Sequence, residues 1–152
     1  MNMRKFFVLL LFALTISLAG FTQRNGMGIG YTTAIGAKFY PAAFTIKKKI
    51  DRNIMVEGLM YFWNGARVTG LIEWHHNIDG LPGLRWYLGP GAHLQFNEKG
   101  NNYFGVDGVV GLDWKIKNTP LNISLDWQPS FDFTKNDNFK GEFGGLGIRY
   151  VL

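Results

Sequence analysis

The chain has 152 residues, enough for one domain, with 20 glycines, no cysteine and 16% aromatic residues. The lack of cysteine excludes a disulfide framework and a thiolate metal site. The formal net charge of +5 comes from scattered basic residues, which argues against a nucleic-acid-binding surface. High glycine together with high aromatic content favours curved β-structure over a helical bundle.

Residues 1–22 have the pattern of a secretory signal peptide, which we expect to be cleaved. The basic pair Arg4-Lys5 precedes an apolar run that starts at Phe6, and small residues follow before a cleavage position after Ala19 or Thr22. The apolar stretch of about 13 residues is shorter than the roughly 20 that a membrane-spanning helix needs. The sequence therefore predicts export, with residues 23–152 as the mature domain.

The mature chain alternates apolar and polar residues with a period of two, which predicts β-strands. In the clearest window, Leu121 to Phe131, every odd-numbered residue is apolar, Pro129 included, and every even-numbered residue is polar. Similar windows begin at Ile54, Val68, Leu84, Phe104 and Leu146, and weaker ones span Gly28 to Phe39 and Ala43 to Lys49. Turn signals separate these eight windows at Asn64-Gly65, Asp79 to Gly83, Asn118 to Pro120 and Thr134 to Lys140.

Eight consecutive strands joined by short turns predict an all-β fold, an eight-stranded antiparallel up-and-down transmembrane β-barrel. Closure of such a meander removes its exposed edges. The strands are about as long as the roughly 9–11 residues that tilted membrane strands need. Pro90 interrupts the fifth strand, and because proline cannot donate to the ladder we predict a β-bulge there.

The polar face of the strands carries nearly equal numbers of basic and acidic residues, as a narrow, self-neutralising interior requires. We therefore expect the polar face, including Lys38 and Lys47, to line the lumen. The predicted lumen charge network is Glu57, Arg67, Glu73, Arg85, Asp107, Asp113, Lys115, Asp126 and Arg149. The alternative is a soluble periplasmic lipocalin-like barrel, in which the apolar face would instead line a ligand cavity.

Aromatic residues concentrate near the strand ends, the two-girdle pattern of membrane barrels. The predicted membrane-interface aromatics are Trp74, Trp86, Trp114 and Tyr150 at one rim, and Phe62, Phe96 and Phe104 at the other. Together with the signal peptide, this pattern predicts an outer-membrane location, with outer-membrane lipid as the partner and a monomeric barrel.

Several strings in the mature chain resemble small outer-membrane β-barrels of the OmpA/OmpX-like type, in particular short barrels of Bacteroidota. These strings are Leu84-Arg85-Trp86-Tyr87 with Gly89, Gly91, Ala92 and His93, Gly105-Val106-Asp107-Gly108, Gly111-Leu112-Asp113-Trp114-Lys115, Pro120-Leu121-Asn122-Ile123-Ser124-Leu125-Asp126-Trp127 and Gly147-Ile148-Arg149-Tyr150. The resemblance implies insertion by the barrel-assembly machinery through a C-terminal signal, here Leu146, Ile148, Tyr150 and Leu152. Family members usually end in an aromatic residue where this chain has Leu152, and the resemblance implies no catalytic residues.

An eight-stranded barrel has a lumen that its own side chains fill, so we expect a structural or envelope role and not a general porin. The alternatives are a small gated channel and a lipid-modifying barrel enzyme. Candidate residues for an enzyme are His75, His76, His93, Ser124 and Ser130.

Catalysis would need a histidine within hydrogen-bond reach of a serine. Otherwise the serines fill the lumen, His93 is a satisfied lumen residue, and His75-His76 lies at the membrane interface. A metal site at His75-His76 is disfavoured because adjacent strand residues point to opposite faces. We expect no enzyme activity and no cofactor.

One basic cluster, Lys47-Lys48-Lys49 with Arg52, falls at a predicted periplasmic turn. Basic residues near an anionic bilayer surface contribute about 1 kcal/mol each to membrane binding. The cluster is therefore a candidate for binding anionic lipid headgroups, and a solvated turn is the alternative.

Overall fold

A computed structural model describes residues 33–39, 41–62, 65–134 and 138–152, and these form strands and turns with no helix. The strands are β1 (Thr33–Phe39), β2 (Ala43–Lys49), β3 (Ile54–Tyr61), β4 (Ala66–Asn77), β5 (Leu84–Phe96), β6 (Asn102–Lys115), β7 (Leu121–Trp127), β8 (Ser130–Asp132), β9 (Phe139–Lys140) and β10 (Gly144–Val151). No helix in these ranges is long and apolar enough to span a membrane. The predicted signal peptide lies outside the described residues.

The ten segments form one closed antiparallel sheet. Each segment from β1 to β6 pairs with the next along the chain, β7 pairs with both β6 and β10, and β1 closes the ring against β10. Segments β7 and β8 are one barrel strand interrupted at Gln128-Pro129, since both pair with β6. Segments β9 and β10 are likewise one strand interrupted at residues 141–143. The fold is therefore an eight-stranded up-and-down β-barrel.

The barrel has two ends, which we name by their connections. The terminal end holds Thr33, Leu152 and the turns at 50–53, 78–83 and 116–120, whereas the distal end holds the other connections between strands. Because the number of strands is even, the described chain enters and leaves the barrel at the terminal end.

Strict alternation puts the polar face inside and the apolar face outside. Along β4, for example, Arg67, Glu73 and His75 are buried while Val68 and Trp74 are exposed. In the described part of the chain, thirty large hydrophobic side chains are exposed and only nine hydrophobic residues are buried. A water-soluble domain buries its apolar side chains in a core. The distribution in this barrel is the reverse.

The predicted β-bulge at Pro90 is wrong. The pairing of β5 with β6 runs without a slip through Gly89, Pro90 and Gly91, which face Val109, Gly108 and Asp107. The pairing of β5 with β4 keeps the same register on either side of Pro90. A proline needs no bulge here, because its missing donor affects only one hydrogen bond and its ring lies on the outer face.

The predicted turn from Thr134 to Lys140 is too long at its C-terminal end. Phe139 and Lys140 form β9, which pairs with Ser130 and Phe131 of β8. This short ladder carries the sheet beyond the point where β10 meets β7, so the barrel wall is taller on that side.

Candidate functional site

The lumen holds two networks of charged side chains, one nearer each end of the barrel. We call them the terminal network, built around Glu57, and the distal network, built around His93. Every carboxylate in the two networks is fully buried or nearly so.

Glu57 is the centre of the terminal network because strand alternation points it inward from the middle of β3. Its carboxylate accepts hydrogen bonds from the Arg149 guanidinium and the Thr45 hydroxyl. The ammonium groups of Lys47 and Lys38 lie 3.5 and 3.8 Å from its second oxygen. Three cations thus surround one carboxylate, which requires further acids nearby for charge balance.

Three other acids complete that balance. Lys47 Nζ lies 2.8 Å from Glu73 and Lys38 Nζ lies 2.7 Å from Asp126. Arg85 donates to Asp113 over 2.9 Å. The terminal network therefore contains Lys38, Lys47, Arg85 and Arg149 against Glu57, Glu73, Asp113 and Asp126, an even balance of formal charges.

Arg149 links its own strand, β10, to three other strands across the lumen. Its guanidinium donates to Ser124 Oγ over 2.8 Å and to Asn122 Oδ1 over 3.2 Å, while its Nε donates to Thr45 Oγ1. Asn122 in turn donates to Asp113 over 3.0 Å. Such planar, multidentate pairing is the geometry for which arginine is suited, and it holds β10, β7 and β2 in register with β3.

The distal network is smaller and centres on His93. Its Nδ1 lies 2.8 Å from Asp107 and its Nε2 lies 2.7 Å from Asp132, so the ring bridges β6 and β8. The Arg67 guanidinium donates to Asp107, and Lys140 Nζ lies 3.2 Å from Asp132. Gln128 completes the distal network by donating to Asp107 over 3.2 Å.

An apolar layer separates the two networks. It consists of Ala43, Leu59, Tyr61, Leu71, Tyr87, Val109 and Phe143, all buried. The two tyrosines join this layer to the networks on either side, since Tyr61 donates to Gln128 over 2.8 Å and Tyr87 donates to Asp126 over 2.5 Å. Phe143 packs edge-on against Tyr61 and lies under the Arg67 guanidinium. The lumen therefore contains an apolar layer with a polar network on each side.

A buried ion is costly unless a counter-ion and hydrogen bonds replace its water shell. The described cations of the two networks each have a carboxylate within 4.0 Å, and most carboxylates have two or more donors. The arrangement can therefore crosslink the wall of the barrel.

Eight of the nine predicted network residues lie in the lumen and contact partners there. They are Glu57, Arg67, Glu73, Arg85, Asp107, Asp113, Asp126 and Arg149. Lys115 does not join them. It lies at the last residue of β6, where its ammonium donates to the backbone carbonyls of Ile116 and Thr119 and so fastens the following turn.

Sequence reasoning missed Asp132, Gln128 and Lys140 of the distal network. The sequence does indicate Gln128 and Asp132, because the even-numbered polar positions of β7 continue past Pro129. The sequence does not indicate Lys140, because it lies in a segment predicted to be a turn.

Four of the five residues considered for catalysis have other partners among the described residues. His75 is buried in the lumen and bonds Glu73 over 2.8 Å, so its predicted place at the membrane interface is wrong. Its neighbour His76 is on the outside, stacked on Trp86. Ser124 accepts from Arg149, and the described residues provide no hydrogen-bond partner for Ser130 Oγ. The hydrogen bonds of His75 and His93 thus go to carboxylates, and His93 Nδ1 also lies 3.2 Å from the Arg67 guanidinium.

The predicted interface aromatics all lie on the outer face. Trp74, Trp86, Trp114 and Tyr150 lie towards the terminal end, and Phe62, Phe96 and Phe104 lie towards the distal end. The four residues of the predicted assembly signal, Leu146, Ile148, Tyr150 and Leu152, are also exposed along the outer face of β10 and just beyond it.

No group of three or more potential metal ligands occurs in the ranges that the structure describes. No family model, curated protein or solved structure matches the chain. The function is therefore inferred from the geometry of the barrel.

Proposed function

We propose that this protein is a small outer-membrane β-barrel with a plugged, charge-paired lumen, which has a structural role in the cell envelope and is not a general porin. The observation that carries the proposal is the reversed distribution of polarity. Charged side chains are buried inside the barrel, and large apolar side chains face outward on all eight barrel strands.

The apolar outer surface is the first support. Soluble monomers rarely expose contiguous apolar patches larger than a few hundred Å². Here the outer row of β6 alone presents Phe104, Val106, Val110, Leu112 and Trp114, and neighbouring strands present similar rows. Transfer of such a surface from water to hydrocarbon is favourable by about 25 cal/mol per Å². A bilayer core is the environment that this surface fits.

The polar interior is the second support. A soluble ligand carrier of the lipocalin type needs an apolar cavity. This lumen instead holds twelve charged side chains in its two networks, with Glu57, Arg149 and Asp107 among the buried ions, and a buried apolar layer between them. An outward apolar belt with an inward polar face is the pattern of transmembrane barrels.

The filled lumen argues for a structural role. Buried apolar side chains, among them Leu59, Leu71 and Val109, occupy the lumen together with the two charge networks. We therefore expect no large, steady conductance when the purified barrel is added to a planar lipid bilayer. Currents of porin size would contradict the plugged lumen while leaving the membrane location intact.

The membrane location is tested by fractionating the producing cells and running the outer-membrane fraction on gels with and without boiling. A folded membrane barrel resists detergent, so we expect recovery with the outer membrane and a heat-dependent change in mobility. Recovery in the soluble periplasm with no change in mobility would contradict the proposal and favour the soluble alternative.

A further inference from the structure

The basic cluster of residues 47–52 is divided by the fold. Lys47 turns into the lumen, where it pairs with Glu73, whereas Lys48 is exposed on the outer face of β2 and Arg52 is exposed in the turn that follows. Lys49 is half-buried at the mouth of the lumen. Only part of the cluster therefore belongs to the lumen, and Lys48 and Arg52 face the surroundings of the barrel.

Lys48 and Arg52 lie at the border of the apolar belt. The outer face of β2 presents Phe44 and Ile46 before it changes to Lys48. Ile50, in the turn between the two cations, is 63% exposed. A long basic side chain at such a border keeps its stem on apolar surface while its charge reaches the aqueous interface.

These cations also differ from the lumen cations in having no counter-ion. Among the described residues no carboxylate lies within ion-pairing distance of Lys48 or Arg52, and the neighbouring Asp51 instead accepts from the Arg52 backbone. In the lumen, by contrast, every described cation is paired.

The charge at the terminal end is strongly one-sided. Outside the lumen, its described basic residues are Lys48, Lys49, Arg52, Lys115 and Lys117, and its acidic residues are Asp51 and Asp79. Outside the lumen, the described part of the distal end has Lys99 against Glu98 and Glu142, because Lys140 belongs to the distal network. A positive end next to a belt that contains Trp74, Trp86 and Trp114 matches a leaflet with negative headgroups.

We propose that the outer rim of the terminal end, centred on Lys48 and Arg52, binds the phosphate groups of anionic phospholipids in the leaflet that surrounds it. This inference rests on the membrane location proposed above, and it assigns the terminal end to the leaflet richer in anionic phospholipid. Lysine and arginine bind phosphate through charge-assisted hydrogen bonds, and the adjacent Ile50 and Trp74 pack against the acyl chains and the interface.

The test is lipid retention by the full mature barrel in nanodiscs of equal parts phosphatidylcholine and phosphatidylglycerol, followed by native mass spectrometry. We expect the barrel to retain phosphatidylglycerol at least about fivefold over phosphatidylcholine, the factor that one basic residue at an anionic surface corresponds to. The double variant Lys48→Gln/Arg52→Gln should lose most of that preference. The matched control Lys99→Gln, at the distal end, should retain it.

Salt supplies a second arm of the test, because 1 M NaCl shortens the screening length to about 3 Å. The preference of the unmodified barrel should fall towards that of the double variant at this concentration. Equal retention of the two lipids, or a double variant indistinguishable from the unmodified protein, would overturn the inference.

A prior control separates this inference from the proposed function. If the barrel is a membrane protein, it should insert into vesicles of pure phosphatidylcholine, which is seen as a heat-dependent gel shift. This insertion needs no anionic lipid. Insertion without lipid preference would overturn the lipid inference alone. A barrel that does not insert would overturn both.

Discussion

At the scale of single residues, the buried ion pairs have the largest expected effect on stability. Glu57 accepts from Arg149 and Thr45 and lies near two lysines, and all of these groups are fully or almost fully buried. Removal of one partner from such a set leaves an uncompensated buried charge, which costs far more than loss of the same pair at a surface.

We predict that Glu57→Gln lowers the free energy of unfolding by about 3–5 kcal/mol, the range typical of breaking a buried ion pair from one side. The measurement is urea-induced unfolding of the barrel in lipid vesicles. Glu98→Gln, at an exposed position in a distal-end turn, is the matched control and should leave the midpoint unchanged. Equal midpoints for the two variants would show that the lumen charges are not important for stability.

A glycine also acts at the residue scale by making room for an aromatic ring. Gly111 faces Tyr87 across β5 and β6, and a β-carbon added at Gly111 would lie 2.9 Å from the Tyr87 ring and 2.5 Å from Asp126 Cβ. Gly70, on the outer face, would meet nothing within 4 Å. Packing therefore requires a glycine at Gly111 but not at Gly70.

Gly111→Ala should therefore destabilise the barrel by about 1–3 kcal/mol, the usual cost of overpacking, because Tyr87 would be displaced from Asp126. Gly70→Ala is the control and should be neutral. Thermal unfolding followed by the gel shift compares the two, and a larger loss for Gly70→Ala would contradict the packing argument.

At the scale of strands, sequence alternation predicts which residues face the lumen, because the period of two is enforced by backbone geometry. That is why Glu57, Arg85 and Arg149 could be placed inside from the sequence. Alternation does not show where a strand ends. Lys115 has the inward parity but lies at the end of β6, so its side chain reaches the turn carbonyls and not the lumen.

Contacts between strands distant in sequence were beyond sequence reasoning. His93 joins Asp107 and Asp132 only because the taller side of the barrel brings β5, β6 and β8 together. The apolar layer across the lumen was likewise not predicted, since Leu59, Leu71 and Val109 interrupt the polar face on separate strands. Its existence depends on the relative stagger of those strands.

At the scale of the whole molecule, the proposed membrane location requires the outer surface of the barrel to lie in hydrocarbon. Val110, near the middle of the longest strand, is 48% exposed and points outward. A lysine at the bilayer midplane of a membrane barrel costs about 2–4 kcal/mol, whereas a lysine on a water-exposed surface costs little. The same substitution thus distinguishes the two environments.

We predict that Val110→Lys lowers the free energy of unfolding in vesicles by about 2–4 kcal/mol, measured by urea titration. Asn101→Lys, in the exposed turn between β5 and β6, is the matched control and should have no comparable effect. A Val110→Lys variant as stable as the unmodified protein would place this face in water.

The most direct measurement is tryptophan fluorescence of the barrel in vesicles whose acyl chains carry bromine, compared with vesicles of the same lipid without bromine. Bromine quenches only tryptophans that contact the acyl chains. We predict strong quenching, because Trp74, Trp86, Trp114 and Trp127 are exposed on the outer face. Emission that is unchanged by bromination, from protein that stays in the aqueous phase, would contradict this prediction.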